Sequence, residues 1–146
     1  MGLDQYAYTI DADENVTIEG IQKLFNESCG KSIGEWRKHP NLEGWMATLW
    51  HTRQQETILD GIVNERLPRN TAQNYPKEFN CELLELFTSD INRLADDITG
   101  DNLDEHSGYF FGSNKDLYYK EYDIKFIQAA RKEIDSGNRV FYTSWW

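Results

Sequence analysis

The densest run of groups able to do chemistry is Trp36-Arg37-Lys38-His39-Pro40, in which two cations stand beside an indole and an imidazole. Arg offers a bidentate fork of donors, Lys a point charge and Trp a flat surface for a ring. Together they suit a small ligand carrying a phosphate or carboxylate. The same residues also suit a purely structural role, with Trp36 in the core and both cations paired to surface carboxylates. His39, Glu43 and His51 could serve as acid or base, but no HExxH or comparable spacing joins them. Each also reads as an ordinary hydrogen-bonded residue.

A second candidate is Gly108-Tyr109-Phe110-Phe111-Gly112-Ser113, three aromatics bracketed by glycines. Glycine permits positive φ, so consecutive N–H groups here could form an anion-binding concavity under an aromatic wall, with Tyr109, Phe110, Gly112 and Ser113 as contacts. A buried strand between two turns fits equally. The run matches neither GxxxxGK[ST] nor GxGxxG, and Asp101 to His106 lacks the register of a calcium loop. At the C-terminal end, Trp145 is expected to complete the core. The competing reading has Trp146 and its carboxylate form a pocket wall or a homo-oligomer contact. Cys29 and Cys81 are far apart with no CxxC pair, which predicts reduced, buried thiols and neither metal nor cofactor.

These groups must be positioned by secondary structure that the spacing foretells. Residues 3 to 10 alternate as a strand with Tyr6, Tyr8 and Ile10 on one side. A helix follows, capped by Thr17 and ended at Gly30. Leu42, Trp45, Met46, Leu49 and Trp50 make the clearest helical face. That helix starts either at Pro40 or earlier, at the capping box Ser32-Ile33-Gly34-Glu35. Residues 66 to 78 read as a loop, 79 to 86 as a strand, 88 to 100 as a helix begun by Thr88, 108 to 112 as a further strand candidate, 118 to 136 as a helix and 139 to 145 as a strand. The order predicts an α+β fold in which about four helices pack a small, largely antiparallel or mixed sheet.

The 146 residues fit a single domain, 1–146. With 25 acidic and 15 basic residues the net charge is −10, which excludes general nucleic-acid binding. No apolar run is long enough for a membrane span or signal peptide, and Gln5 and Tyr6 spoil a myristoylation reading of Met1-Gly2, so a cytoplasmic protein is expected. The acidity is local. Residues 1 to 20 hold five acids and no base, and residues 82 to 106 hold eight acids against Arg93 alone, whereas residues 31 to 53 are net +2. Such stretches either steer a basic partner protein or keep a small domain soluble.

Met1-Gly2-Leu3-Asp4-Gln5-Tyr6, Trp36-Arg37-Lys38, Leu42, Trp45-Met46, Phe79-Asn80, the 108–112 block, Tyr118-Tyr119 to Ala130-Arg131 and the closing Tyr142-Thr143-Ser144-Trp145-Trp146 resemble a family of small phage proteins common in cyanophages. Some relatives have His at the position of Glu43 and a TxxGFFFG run where this chain has Asp104-Glu105-His106-Ser107-Gly108-Tyr109. That departure counts against a mechanism needing the His. Some members carry a phosphoglycerate kinase label, but such kinases are far longer, two-domain enzymes with nucleotide loops. The resemblance implies an accessory protein acting in the cytoplasm of an infected bacterial host. The leading expectation is a binder of a small anionic ligand, a nucleotide or phosphorylated metabolite, held by Trp36, Arg37, Lys38, His39, the 108–113 block and Trp146. The alternative is a protein whose acidic surface binds and inhibits a basic host protein. A third reading is a small enzyme.

Overall fold

The computed structural model describes residues 2–68, 78–106 and 114–146. Eight elements run in the order β1 (Asp4–Ile10), α1 (Ile18–Asn26), β2 (Lys31–Arg37), α2 (Pro40–Val63), β3 (Leu83–Leu86), α3 (Thr88–Thr99), α4 (Asp116–Asp135) and β4 (Arg139–Trp145). The strands form one antiparallel sheet in the order β2-β1-β4-β3, so the fold is α+β. The strand candidate at 108–112 lies outside the described residues.

Alternation in the strands divides the sheet into two chemically different faces. Ala7, Trp36, Leu84, Leu86, Val140 and Tyr142 point inward and share the main core with residues of α2, α3 and α4. On the outer face, α1 covers one end only, where Ile21 packs with Ile10, Leu83 and Phe141 and is flanked by Leu24 and Phe25. The other end of the outer face carries the exposed side chains of Arg37 and Trp145.

Local signals explain most element ends. Thr17 Oγ1 accepts from the Gly20 N–H at 3.2 Å to start α1, which ends at Asn26, before Gly30. Pro40 occupies the first turn of α2, and the predicted apolar face occupies its buried first half. Asp90 caps α3 by accepting from the Phe87 N–H at 2.8 Å, with Thr88 as the first helical residue rather than the cap. Gly137, at φ 88°, turns the chain from α4 into β4.

The capping-box reading of Ser32 to Glu35 is wrong: these residues lie in β2, paired with β1 from Tyr6↔Glu35 to Tyr8↔Ser32 with a bulge between Ala7 and Tyr8. A cap is worth about 1 kcal/mol, whereas the strand buries the Trp36 ring, worth about 3 kcal/mol, and gains a ladder of hydrogen bonds. Gly34 permits this burial, because a Cβ there would lie 2.6 Å from the Trp36 ring. The strand expected over 79–86 is shortened to Leu83–Leu86 because Cys81 adopts φ 60° and Asn80 is engaged with Trp146. Cys29 and Cys81 are free, as expected, but exposed rather than buried. No helix among the described residues is long and apolar enough to cross a membrane.

Candidate functional site

Polar side chains that sequence patterning leaves on separate elements meet inside the core. The Trp36 indole N–H donates to Asp123 Oδ1 at 2.8 Å, and Asp123 Oδ2 lies 2.9 Å from His39 Nε2. The fully buried His39 ring stacks on Tyr119 with centroids 5.0 Å apart. Gln5 holds the His39 backbone from both sides, accepting from its N–H at 2.8 Å and donating to its carbonyl at 3.0 Å. Gln5 Nε2 also donates to the Tyr142 hydroxyl, which donates to Glu43 Oε2 at 3.3 Å, while Ser144 Oγ donates to Glu43 Oε1 at 2.8 Å.

Burial dominates the electrostatics of this network. It pushes the Glu43 carboxyl from 4.5 up to about 7, against the lowering effect of the Ser144 and Tyr142 hydrogen bonds. Burial also raises Asp123, against the hydrogen bond and charge of His39, and holds the Tyr142 phenol well above its usual range. A carboxyl near 7 can hold or release a proton at neutral pH. Access is what this network lacks. Trp36, His39, Glu43 and Asp123 are each at most 2% exposed, and the void that Asp123 borders holds about 10 Å³, room for at most one water. The network braces the sheet.

What it braces is visible in the strand register. Trp36, Gln5 and Ser144 form one cross-strand row facing inward. The adjacent rows, Arg37–Asp4–Trp145 and Glu35–Tyr6–Thr143, face outward. Between this outer face and α1 runs a cleft of about 520 Å³ walled by Tyr6, Tyr8, Phe25 and Trp145. None of its lining residues is charged, in a protein of net charge −10. Its volume falls in the range usual for small-molecule sites.

Local backbone features shape this cleft. Tyr6 and Tyr8 lie nearly parallel at 6.2 Å, and Tyr8 meets Phe25 at 5.3 Å. Phe25 crosses directly over Gly30, where a Cβ would lie 2.4 Å from its ring. Two lining residues, Ser28 at φ 59° and Cys81 at φ 60°, hold left-handed conformations that side chains disfavour. Such strain costs about 1–3 kcal/mol per residue and gathers at ligand clamps and switch regions. Trp145, 61% exposed, stands at one wall. Across Asp4 in the same row, the Arg37 side chain is 78% exposed and only loosely paired, its Nε 3.8 Å from Asp4 Oδ1.

The predicted site residues are therefore dispersed. Trp36 and His39 belong to the core, which corrects their assignment as ligand contacts: Asp123 accepts the Trp36 indole N–H and meets His39 Nε2, and the His39 ring is buried against Tyr119. Arg37 faces outward on the sheet, and Lys38, at φ 56°, makes the left-handed turn from β2 into α2 with its side chain over Gly2. Trp146 is anchored by its indole N–H to the Phe79 carbonyl at 3.0 Å and by Asn80, which accepts from its backbone N–H and donates to its carbonyl. Its neighbour Trp145, expected in the core, is the exposed one. Tyr109, Phe110, Gly112 and Ser113 lie outside the described residues. The Tyr6/Tyr8 alternation is the one sequence signal that could have located the cleft.

The acidic stretches are partly consumed within the fold. Arg139 chelates Glu85, with Nη2 to Oε1 at 2.7 Å and Nε to Oε2 at 2.8 Å, Arg53 pairs with Asp90, and Lys120 pairs with Asp101 at 2.8 Å. Of the others, Asp97, Asp104 and Glu105 line a second cleft of about 390 Å³ with Arg93, His106 and Trp45. The Trp45 indole N–H donates to Asp97 at 2.9 Å and Arg93 lies over the Trp45 ring at 5.2 Å. Among the described residues no group of three His, Cys, Asp or Glu side chains is arranged to hold a metal. No family model, curated protein or solved structure matches the chain.

Proposed function

We propose that the protein binds a small anionic ligand bearing a planar ring, of the nucleotide class, on the open end of its outer sheet face. The observation that carries this reading is the uncharged aromatic cleft of Tyr6, Tyr8, Phe25 and Trp145 with the exposed Arg37 one strand away. Adjacent strands are about 4.8 Å apart, so Arg37 and Trp145, two strands apart, are separated by roughly 10 Å. That span suits a ring stacked on the aromatics and a phosphate at the guanidinium. The ion pair that the phosphate must displace, Arg37 with Asp4, is exposed and long, and such pairs are worth under about 1 kcal/mol. On the family resemblance, this ligand would be met in the cytoplasm of an infected host.

Titration with AMP, followed by quenching of tryptophan fluorescence and by thermal shift, tests the reading. Quenching and stabilisation are expected, both reduced at least tenfold in affinity by Arg37→Ala and by Trp145→Ala. Absence of any response to AMP, ADP and ribose 5-phosphate would overturn it.

A second reading is favoured by the acidic cleft at the end of α3. Asp97, Asp104 and Glu105 around Trp45 fit a Lys- or Arg-bearing segment of a basic protein, since carboxylates pair the charge and the indole packs the aliphatic stem. A salt-sensitive host partner lost in the Asp104→Asn/Glu105→Gln variant would support it, and none in a pull-down at low salt would remove it.

A further inference from the structure

The cleft is longer than a mononucleotide needs. Arg37 and Trp145 share one cross-strand row through Asp4, and a nucleotide stacked on Trp145 with its phosphate at Arg37 lies along that row. A second aromatic group, Tyr8 with Phe25 of α1 at 5.3 Å, stands in the row of Tyr8 and Phe141, four residues further along β1. At about 3.4 Å per residue the two rows are roughly 14 Å apart. Both belong to one cleft, because Tyr8, Phe25 and Trp145 all line it. The Phe25 end is edged by Gln22, Asn26 and Ser28, each exposed.

Resting on the nucleotide reading above, we infer that the Tyr8–Phe25 end takes the sugar ring of a nucleoside diphosphate sugar, with the base at Trp145 and the diphosphate at Arg37. No described residue lining the cleft is charged, so the part of the ligand that runs along β1 is neutral. A further phosphate or carboxylate there would give up its hydration without meeting a cation. The lining is nonetheless polar: Gln22, Asn26 and Ser28 each carry both donors and acceptors, as every sugar hydroxyl does. Hydroxyl groups rotate to suit such partners, so this match requires no fixed pattern of donor and acceptor positions. A pyranose also has an apolar C–H face, which packs flat on the electron-rich face of an aromatic ring. The Tyr8 and Phe25 rings meet at 42°, a corner that offers one stacking face and not a slot between parallel rings for a second base. Ile21 of α1 is buried in the small core under the outer face, which fixes the helix that carries Gln22 and Asn26 beside this corner.

Binding of ADP, ADP-glucose and diadenosine diphosphate is measured by calorimetry for the wild-type chain and for Gln22→Ala/Asn26→Ala. Both positions are exposed on a helix that alanine favours, so the double variant folds, which its thermal transition verifies. ADP-glucose is expected to bind about tenfold tighter than ADP, and that ratio to fall to about one in the double variant. Equal binding of ADP-glucose and ADP, a ratio untouched by the double variant, or diadenosine diphosphate binding tighter than ADP-glucose overturns the sugar assignment while ADP binding leaves the nucleotide reading standing. No binding of either ADP or ADP-glucose overturns both.

Discussion

His39 Nε2 and Asp123 Oδ2 lie 2.9 Å apart with both side chains almost wholly buried, one beginning α2 and the other on α4. The second Asp123 oxygen takes the Trp36 indole N–H, so one carboxyl ties β2, α2 and α4 together. Asp123→Ala leaves an imidazole and an indole N–H without partners in the core. It should cost about 3–5 kcal/mol, and Asp123→Asn distinctly less, because the amide oxygen still accepts one of the two bonds. Urea denaturation of both variants checks the order; equal stability of wild type and Asp123→Ala would refute the role given to this pair.

Glu43 predicts a pH dependence of definite sign. Its carboxyl sits at about 7 in the fold against 4.5 in an unfolded chain. Between those values the folded state keeps a proton that the unfolded state releases, so this contribution is complete below pH 4.5 and is lost as pH rises through 7. The 2.5-unit difference corresponds to about 3 kcal/mol. Asp123, also raised by burial, adds in the same direction. Glu43→Gln should remove most of the slope, read as the difference in unfolding free energy between the two proteins from pH 4.5 to 8.

Gly34 stands where a methyl group would lie 2.6 Å from the Trp36 ring and 3.2 Å from Phe126. Trp36 and Phe126 meet edge to face at 5.1 Å, and neither can withdraw from the core. Gly34→Ala is therefore expected to lower stability by about 1–3 kcal/mol, although alanine suits a strand no worse than glycine. A thermal melt suffices to test it. An unchanged or raised Tm would show that the ring has room to move.

Asn41 joins two segments distant in sequence: it accepts from the His106 N–H at 2.8 Å and donates to both oxygens of Asp116 at 3.1 Å. It also lies one residue beyond Pro40 in the first turn of α2. Asn41→Ala frees the end of the 101–106 segment and the start of α4 at once. Amide exchange around residues 103–106 and 116–119 should accelerate while the strands stay protected. Uniform protection in the variant would count against the clamp.

The helices were legible where one face is apolar, as at Leu42 to Trp50, and where a cap or stop is local, as at Thr17 and Gly137. β2 was not, because a short polar strand with Ser and Glu three apart mimics a helix start, and its reason for being a strand is the partner β1. For the site, the sequence displays Arg37, Lys38 and Trp36 as neighbours, and alternation then sends Trp36 inward and Arg37 outward. The reverse happened at the C-terminal strand, where Ser144 turns in to Glu43 and Trp145 turns out. Tyr6 and Tyr8 are legible as sharing one side of a strand, but the alternation alone does not say that this side is the outer one. Gln22, Asn26 and Glu43 carry no spacing signal; only the packing of α1 on the outer face, and of α2 on the inner, shows what they meet.

The alternation of the Trp36–Gln5–Ser144 row with its two outward neighbours sets a reading frame on the sheet. Substitutions at Tyr6, Arg37 or Trp145 change one face and leave the other intact. Deleting or inserting one residue in the middle of β1, β2 or β4 would exchange the faces, driving a guanidinium and a tyrosine hydroxyl into the core and the bracing amide into water. Variation in this protein should thus be plentiful in residue type across the outer face and sparse in strand length. Loop segments between the elements, where no frame applies, are the places to add or remove residues.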